Sequence, residues 1–420
     1  MDDDTIGLRQ PDAASLYDWA RPTAAAFGGE FSRQELDHDL LTIEHDRLIG
    51  AVDGDAWVGT GGSYSFRLTV PGGEVGAAGI TSIAVAPSHR RRGILRRMMG
   101  WLLDQALERD EAVAILWASE SAIYQRFGYG MGTLQSTFDI DRTRVRFARP
   151  VEPVGRMRLV DRDEACRLIP PVYDAVRRGI PGAVSRTDAK WRHELLDDAE
   201  WMQRGNGSKF IAVLEVDGTV RGYAIYRVKS DWDDRGPNNS VLALEVIGLD
   251  AAAERTIWQW LAETDLAGHI KGWRGPVPHP LLLELTEPRR LGLTVREGLW
   301  LRLLDMPAAL EARTYQGPGA ISFELTDTFR PANAGRWRLE VGSGGSAAGE
   351  RGVARATVTA FDGSPDLTLD TSDLASIYLG AFTFADLVRA DRIGECRPGA
   401  VAEADRLFAT TATAWCSTMF

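Results

Sequence analysis

A strand-like run that stops at a proline and passes through three consecutive arginines into a helix-like run constrains this chain most. The run GAAGITSIAVAP (76–87) is typical of a β-strand that ends at Pro87. From near Arg90 to about Arg109, apolar residues recur every three to four positions, which predicts an amphipathic helix. Its two apolar ridges are Ile94, Met98, Leu102, Ala106 and Leu95, Met99, Leu103, Leu107. The segment therefore predicts a strand–turn–helix unit with arginines at the turn.

The three arginines lie where cations are unfavourable. A helix N-terminus presents unpaired N–H groups and a partial positive charge, so each guanidinium there costs a few tenths to about 1 kcal/mol. A phosphate or diphosphate bound by those N–H groups would make the same arrangement favourable. Gly93, expected inside the first turn at a cost of about 1 kcal/mol relative to Ala, fits a ligand that passes close to the backbone. The alternative is a solvated basic surface, which most arginine clusters form.

Composition limits the class of protein. The 420 residues are 44% hydrophobic, which is enough for two or three domains with their own cores. No run approaches the roughly 18 apolar residues of a membrane helix, and the acidic start MDDDTIGLRQ does not resemble a secretory signal. The three cysteines and six histidines are dispersed, so we expect no metal site and a cytoplasmic location. A net charge of -11 argues against nucleic acid and favours cationic partners.

The order of elements in the first part partly recurs after an Arg- and Pro-rich linker at 141–156. KFIAVLEVDGTVRGYAIYRVK (209–229) predicts a hairpin around Val-Asp-Gly, as at 52–54, and VLALEVIGLDAAAERTIWQWLAETDL (241–266) predicts a strand and a helix. The second copy has LDAAAE where the first has PSHRRRG. We interpret it as a degenerate duplicate that lacks the basic cluster and the glycine.

The last third, from near Met306, predicts antiparallel strands followed by amphipathic helices, which is typical of a small α+β domain. GSGGSAAGE (342–350) predicts a flexible hairpin connection within it. The predicted fold class is therefore mixed α/β and α+β in three parts. These are residues 1–150, 151–305 and 306–420.

The segment ITSIAVAPSHRRRGILRRMM resembles the acetyl-CoA-binding signature of the GNAT acetyltransferase superfamily, a strand, a loop of the type Arg-x-x-Gly-x-Gly/Ala and a helix. Arg90 and Gly93 match this signature, and Leu95 departs from its final small residue. With the layout of the whole chain, this resembles the Enhanced intracellular survival (Eis) family of actinobacterial N-acetyltransferases. The resemblance implies a catalytic GNAT domain, a degenerate GNAT-like domain and a C-terminal domain like sterol carrier protein. It also implies a homo-oligomer, a hexamer built as a trimer of dimers.

The resemblance further implies which residues bind acetyl-CoA, the co-substrate. The backbones of Ile83 and Val85 would pair with the pantetheine amides, while their side chains pack in the core. Ser119, after the apolar strand AVAILWAS, would lie near the thioester. The diphosphate would bind the backbone N–H groups of Arg90, Arg91, Arg92, Gly93, Ile94 and Leu95.

The stretch SESAIYQRFGYG supplies a candidate general acid. Acetyl transfer to an amine expels coenzyme A as a thiolate, and an acid within hydrogen-bond reach of the sulfur lowers that barrier. A tyrosine, with a pKa of about 10, is protonated at neutral pH. By resemblance Tyr124 is this acid, and the alternative is a ring that only packs over the cofactor. Tyr129 is assigned to structure.

The sequence ends AWCSTMF, which is apolar although most termini are polar. One interpretation is a tail docked in a hydrophobic groove. The resemblance implies more, namely that the terminal carboxylate of Phe420 accepts the proton that the amine must lose. A free α-carboxyl has a pKa of about 3.3–3.7, too low for an efficient base, and burial would raise it. The role therefore requires a partly buried Phe420.

The sequence favours an acetyl-CoA-dependent N-acetyltransferase that acts on amines, with aminoglycoside-like polyamines as acceptors. One alternative is a lipid- or sterol-binding protein in which the GNAT parts are scaffold. Another is an acetyltransferase that acts on protein lysines. Asp18, Trp19, Phe27, Glu403 and Asp405 are possible walls of an acceptor pocket, although each also fits ordinary surface or core. No metal, nucleic-acid or membrane partner is expected.

Overall fold

The computed structural model describes residues 6–29, 32–234, 236–342 and 353–420. Strands and helices are numbered in chain order. The strands are β1 Ile6–Arg9, β2 Ile49–Asp53, β3 Ala56–Val70, β4 Gly73–Val85, β5 Val113–Trp117, β6 Gly130–Met131, β7 Leu134–Asp141, β8 Arg156–Leu159, β9 Lys209–Val216, β10 Thr219–Lys229, β11 Trp232–Asp233, β12 Gly236–Pro237, β13 Asn239–Gly248, β14 Ala267–Gly275, β15 Thr294–Glu297, β16 Leu299–Leu303, β17 Thr314–Gln316, β18 Gly319–Thr326, β19 Gly335–Val341, β20 Val353–Ala360, β21 Leu367–Asp370 and β22 Gly394–Glu395.

The α-helices, from a single turn to 16 residues, lie between these strands. They are α1 Leu16–Phe27, α2 Arg33–Asp39, α3 Ile94–Glu108, α4 Arg162–Arg177, α5 Asp188–Lys190, α6 Glu200–Gln203, α7 Ala251–Ala262, α8 Leu281–Glu284, α9 Met306–Ala312, α10 Thr371–Tyr378, α11 Phe384–Arg389 and α12 Ala400–Phe408. The chain divides into two compact units. Unit 1 comprises Met1–Gly132, Leu299–Thr411 and Met419–Phe420, and unit 2 comprises Thr133–Gly298 and Ala412–Thr418.

The first sheet of unit 1 has the order β1-β2-β3-β4-β5-β16-β6. Helix α3 packs on it through Met98, Met99, Leu102 and Leu103, which are at most 1% exposed. These residues come from the two predicted ridges, so the amphipathic pattern identified the buried face of the helix. The long β3–β4 hairpin lies at the centre of the sheet, and both strands contain runs of consecutive buried residues, which is typical of strands covered on both faces.

The second sheet of unit 1 has the order β17-β20-β19-β18-β21-β22 and carries α10, α11 and α12. Strands β17 to β21 precede α10, α11 and α12, as the sequence predicts, whereas α9 precedes β17 and the short strand β22 follows α11. Strands β19 and β20 pair antiparallel from Trp337↔Ala360 to Val341↔Ala356. The predicted Gly/Ser connection at 342–350 lies, except for Gly342, outside the described residues.

Unit 2 contains a seven-stranded sheet of order β15-β7-β14-β13-β10-β9-β8, with a helix on each face. Strand β9 is buried on both faces by these helices. Ile211 and Val213 lie in the core with α4, and Ala212 and Leu214 lie in the core with α7. A strand buried on both faces is apolar at consecutive positions rather than at alternate ones. The turn at Asp217 and Gly218, both at positive φ, closes the predicted β9–β10 hairpin.

Two strands join a sheet other than the one that their chain position suggests. Strand β7 pairs with β14 and β15 in the sheet of unit 2, and β16 pairs with β5 and β6 in the first sheet of unit 1. Sheet membership therefore changes near residues 132 and 298, whereas we predicted domain boundaries at 150 and 305. A short apolar strand shows that it is buried but not which sheet it joins.

Among the described residues, no helix combines the length and the apolar character that crossing a membrane requires.

Candidate functional site

Strands β4 and β5 separate near the centre of the first sheet. They pair in parallel only from Ala77↔Val113 to Gly79↔Ile115, although β4 continues to Val85 and β5 to Trp117. Beyond Gly79, β3 is the only described partner of β4. Backbone groups that face away from β3 are then available to a strand-like ligand. Ile83 and Val85, predicted from the sequence to bind pantetheine amides, lie on this stretch.

A bulge shapes the free part of β4. Ser82 has a positive φ of 54°, and the β3–β4 register shifts between Thr60 and Gly62. The Thr60 hydroxyl donates to the Ser82 carbonyl at 2.7 Å, which holds the bulge. A bulge increases the local twist and bends the strand. This bulge therefore bends β4 in the stretch where it no longer pairs with β5.

Helix α3 begins at Ile94, so the predicted start near Arg90 was wrong. Residues 87–89 form a short 3-10 turn, and Arg91 and Gly93 have φ angles of 64° and 74°. Left-handed residues cannot continue an α-helix, because the helix requires negative φ throughout. Gly93 is therefore the N-cap residue rather than part of the first turn. The glycine is needed there because a residue with a side chain is strained at that φ.

The N-terminus of α3 is open to an anion. No side chain among the described residues caps it, and the space beside the Gly93 Cα is open. The first N–H groups of a helix have no partner within the helix, and the helix dipole favours negative charge at this end. Ile94 is buried and Leu95 packs against the same core, so their side chains anchor the helix while their N–H groups stay at the end.

The arginines differ in their surroundings. Arg90 and Arg91 are exposed and form no ion pair with any described residue. Arg92 is half-buried, with its Nη1 3.8 Å from Asp53 Oδ2, and His89 Nε2 lies 3.2 Å from the same oxygen. One carboxylate thus offsets part of the positive charge, and the two exposed guanidinium groups are left to bind an anion. These residues fit the diphosphate of coenzyme A.

Tyr124 follows β5 in a pair of short 3-10 turns that end at Gly128, whose φ is 79°. It is 5% exposed, and burial raises the pKa of its phenol, while a hydrogen bond with Ser119 lowers it. The net shift is upward, so the hydroxyl keeps its proton at neutral pH. Ser119 is exposed, two residues after the end of β5. A protonated donor therefore lies at the end of the separated strand.

Tyr129 differs from Tyr124 although their rings meet edge to face at 6.0 Å. It is fully buried, and its hydroxyl donates to Met99 Sδ at 3.8 Å. Burial raises the pKa of its phenol far above the usual value. It is part of the core under α3, which agrees with the structural role predicted for it.

Phe420 lies where β4 and β5 separate. Its ring is 4.9 Å from that of Phe66 and 6.5 Å from that of Tyr64, two neighbours on one face of β3. A Cβ on Gly79 would lie 3.1 Å from Phe420 Cε2, so the glycine permits the close approach. Sequence reasoning missed this contact region. The alternation of Tyr64 and Phe66 in GGSYSFRLTV was its only signal.

The residues named as possible walls of an acceptor pocket have other contacts or are exposed. Trp19 is buried and donates its indole N–H to a backbone carbonyl at 2.8 Å. Asp405 accepts backbone N–H groups at the start of α11, and Glu403 forms a surface ion pair. Asp18 and Phe27 are exposed. Their role as walls of an acceptor pocket stays a prediction.

Together these elements form an elongated site in unit 1. It offers an uncapped helix end for an anion, a free strand edge for amide groups and a protonated phenol at the other strand. Such a set suits a long anionic ligand that carries a reactive group near the separated strand ends. No group of three or more His, Cys, Asp or Glu side chains that could hold a metal ion occurs in the described part of the chain.

Comparison with known proteins identifies three domains in this chain, and the first of them contains the site described above. Residues 8–132 match a model of the acetyltransferase (GNAT) domain, and residues 182–303 match another acetyltransferase (GNAT) domain model. Residues 306–417 match the sterol carrier protein domain. The predicted fold class, two GNAT domains and a sterol-carrier-like domain, is confirmed.

Relatives cover nearly the whole chain. A protein of Streptomyces avermitilis described as an uncharacterized N-acetyltransferase is 41% identical over 420 residues, 99% of each chain. N-acetyltransferase Eis of Mycobacterium tuberculosis is 33% identical over 93% of this chain and 91% of its own length. The crystal structure of Eis1 from Mycobacterium abscessus has a TM-score of 0.81 and 30% identity, covering 99% of this chain and 100% of that one. The chain thus belongs to the Eis-like family of GNAT acetyltransferases, and it is an N-acetyltransferase.

Proposed function

We propose that this enzyme transfers the acetyl group of acetyl-CoA directly to an amine of a small polycationic acceptor of the aminoglycoside type. The observation that carries the proposal is the position of Phe420, which packs beside Gly79 at the point where β4 and β5 separate. A GNAT domain uses acetyl-CoA, and the acetyl group must lie near the separated strands for transfer.

The co-substrate is held by the residues that the sequence predicted. The N–H groups from Arg90 to Leu95 and the two exposed guanidinium groups would bind the diphosphate, because they combine unpaired donors with positive charge. The backbones of Ile83 and Val85 would bind the amides, and Ser119 would lie near the thioester. Acetyl-CoA supplies an activated acyl group, and the protein supplies orientation and proton transfer.

Two groups move protons in this proposal. The Phe420 α-carboxylate, at the last residue of this sequence, accepts a proton from the acceptor ammonium, and the freed amine attacks the acetyl carbonyl. As the carbon–sulfur bond breaks, the Tyr124 hydroxyl donates its proton to the departing sulfur. The raised pKa of Tyr124 supports this role because the phenol keeps its proton at neutral pH.

The acceptor class follows from charge and family. A net charge of -11 attracts polycations and repels nucleic acid. The proposal includes a homo-oligomer, which the family resemblance makes a hexamer. The hexamer and the cytoplasmic location stay predictions. Lysine side chains of proteins are the competing acceptors.

The test is a thiol-release assay with acetyl-CoA and a panel of aminoglycosides, diamines and lysine peptides. We expect turnover with aminoglycosides or diamines and little with peptides. Turnover restricted to peptides would replace the small-molecule proposal with protein acetylation. No turnover with any acceptor, in a protein that binds acetyl-CoA, would contradict the proposed acceptor classes.

A further inference from the structure

The sheet of unit 2 contains a second place where two parallel strands separate. Strands β13 and β14 pair with each other from Asn239↔Ala267 to Ala243↔Gly272. Beyond these residues they continue to Gly248 and Gly275 without pairing with each other. A cavity of about 300 Å³ lies at this point, lined by residues of both strands, α7 and the tail segment 412–415. Its apolar wall includes Ile180, Val246, Trp258, Pro276 and Trp415.

The cavity is not suited to the diphosphate of a second acetyl-CoA. Helix α7 begins at the matching position, but the Asp250 side chain caps it by accepting the Ala253 N–H at 2.9 Å. Arg221 Nη2 binds the same carboxylate at 2.6 Å. A built-in carboxylate thus takes the place of the anion, so a ligand of this cavity must bind through other groups.

Arg274 lines this cavity and has side-chain donors without a hydrogen-bond partner among the described residues. Its Nε and Nη1 atoms are buried, and no described residue accepts a hydrogen bond from them. Burial lowers the pKa of its guanidinium. An arginine stays charged in proteins, and a buried cation without an acceptor is destabilising because it loses its hydration. Nε and Nη1 carry three of the five N–H donors of the guanidinium group, the side-chain group that matches a carboxylate in geometry and charge.

The backbone at Arg274 is also unusual. Its φ is 51°, although it is not a glycine, and it lies within the register shift between Gly272 and Gly275. Its carbonyl accepts the indole N–H of Trp415 at 2.6 Å. Such a conformation is unfavourable for a residue with a side chain. Both the strain and the unpaired donors occur in one residue that lines the cavity.

The acidic groups of the cavity are already satisfied or disfavoured as anions. Glu245 receives both terminal nitrogens of Arg186, at 2.6 and 2.9 Å, and the Tyr223 hydroxyl at 2.7 Å. Burial raises the pKa of Glu254, whose carboxyl accepts the Trp258 indole N–H at 3.4 Å. Neither of these carboxyls accepts a hydrogen bond from Nε or Nη1 of Arg274.

A neutral donor lies in the same wall. Burial lowers the pKa of His279 to about 4, so the ring is neutral at pH 7. Its Nδ1 accepts the Leu281 N–H at 3.3 Å, which leaves the ring proton on Nε2. The cavity thus combines one cationic fork, one neutral N–H donor and tryptophan walls.

We propose that this cavity of unit 2 binds a small organic monocarboxylate with an apolar body, whose carboxylate pairs with Arg274. A cavity of about 300 Å³ lies at the lower end of the size range of small-molecule sites, about 300–1,000 Å³. The inference does not depend on acetyl transfer.

The experiment is calorimetric titration of the full chain with octanoate and indole-3-acetate, each compared with its neutral amide. We expect at least one carboxylate to bind at least tenfold more tightly than its amide. Arg274→Gln should remove this preference, and Arg192→Gln, an exposed arginine of the same unit, should keep it. If Arg274→Gln does not fold, Thr413→Trp replaces it as the test. This variant adds a bulky group at the cavity wall and should weaken binding.

No binding of either carboxylate, or equal affinity for acid and amide, would overturn the proposal. So would unchanged octanoate and indole-3-acetate affinity in a folded Arg274→Gln variant, or in Thr413→Trp where that variant is used. Thermal unfolding curves of all variants identify those that fold.

Discussion

The ring of Phe420 packs 4.9 Å from the ring of Phe66, beside the last residue of β4 that pairs with β5. The ring is thereby held beside Gly79, where the pairing of β4 with β5 ends. The apolar ending of the sequence is thus a docked segment, in agreement with the first interpretation of the tail. The proton-acceptor role stays a proposal that the following variants test.

Deletion of Phe420 should lower kcat by about 10²-fold or more, because the proposed proton acceptor is lost. Acetyl-CoA affinity, measured by calorimetry, should change less than about twofold, since the diphosphate contacts lie at α3. Phe420→Ala keeps a terminal carboxylate but removes the ring, so it tests whether the ring positions the carboxylate. We expect a smaller loss of kcat in that variant. Full activity after the deletion would place the base elsewhere.

Tyr124→Phe should lower kcat by about 10²-fold, with KM for acetyl-CoA nearly unchanged, because only the transferable proton is removed. Tyr129→Phe is the matched control, and we expect it to change stability rather than kcat. The wild-type rate should not fall through loss of the Tyr124 proton below pH 10, because burial raises its pKa above that value. A kcat in Tyr124→Phe equal to the wild-type value would remove this residue from the mechanism.

Arg91→Glu should raise the Kd for acetyl-CoA about tenfold, which corresponds to about 1.4 kcal/mol. The side chain is exposed and unpaired among the described residues, so its loss should not destabilise the fold. Arg92→Glu should weaken binding too, and it also faces Asp53. Arg389→Glu, an exposed arginine of α11, is the control. Equal acetyl-CoA affinity in the Arg91 variant and the control would contradict the diphosphate assignment.

Stability should fall in mild acid because of His279. Its folded-state pKa is about 4, below the usual value of about 6.5, so the unfolded chain binds more protons between these values. The free energy of unfolding should therefore decrease as the pH falls from 6.5 to 4, by roughly 3 kcal/mol for this group. Urea unfolding at several pH values measures it. His279→Asn should reduce the slope, and an unchanged slope would show that other groups cause it.

Much of the site could be predicted from local sequence. The strand that ends near Pro87, the glycine at position 93 and the two ridges of α3 lie within about 30 residues and define the helix end, although Gly93 caps the helix instead of lying in its first turn. The start of the helix could not be placed, because Arg91 adopts a positive φ that arginine seldom has. Nor could the contact region of Phe420, since it depends on the register that places Tyr64 opposite Gly79.

The sequence by itself determined the local units, the family and the chemistry of the residues at the turn, because backbone preference and apolar periodicity act over a few neighbouring residues. Only the tertiary structure decided which sheet receives Leu134–Asp141 and Leu299–Leu303, and that Arg274 is buried without an acceptor. These outcomes depend on pairing and burial between residues far apart in the chain, which no local pattern records.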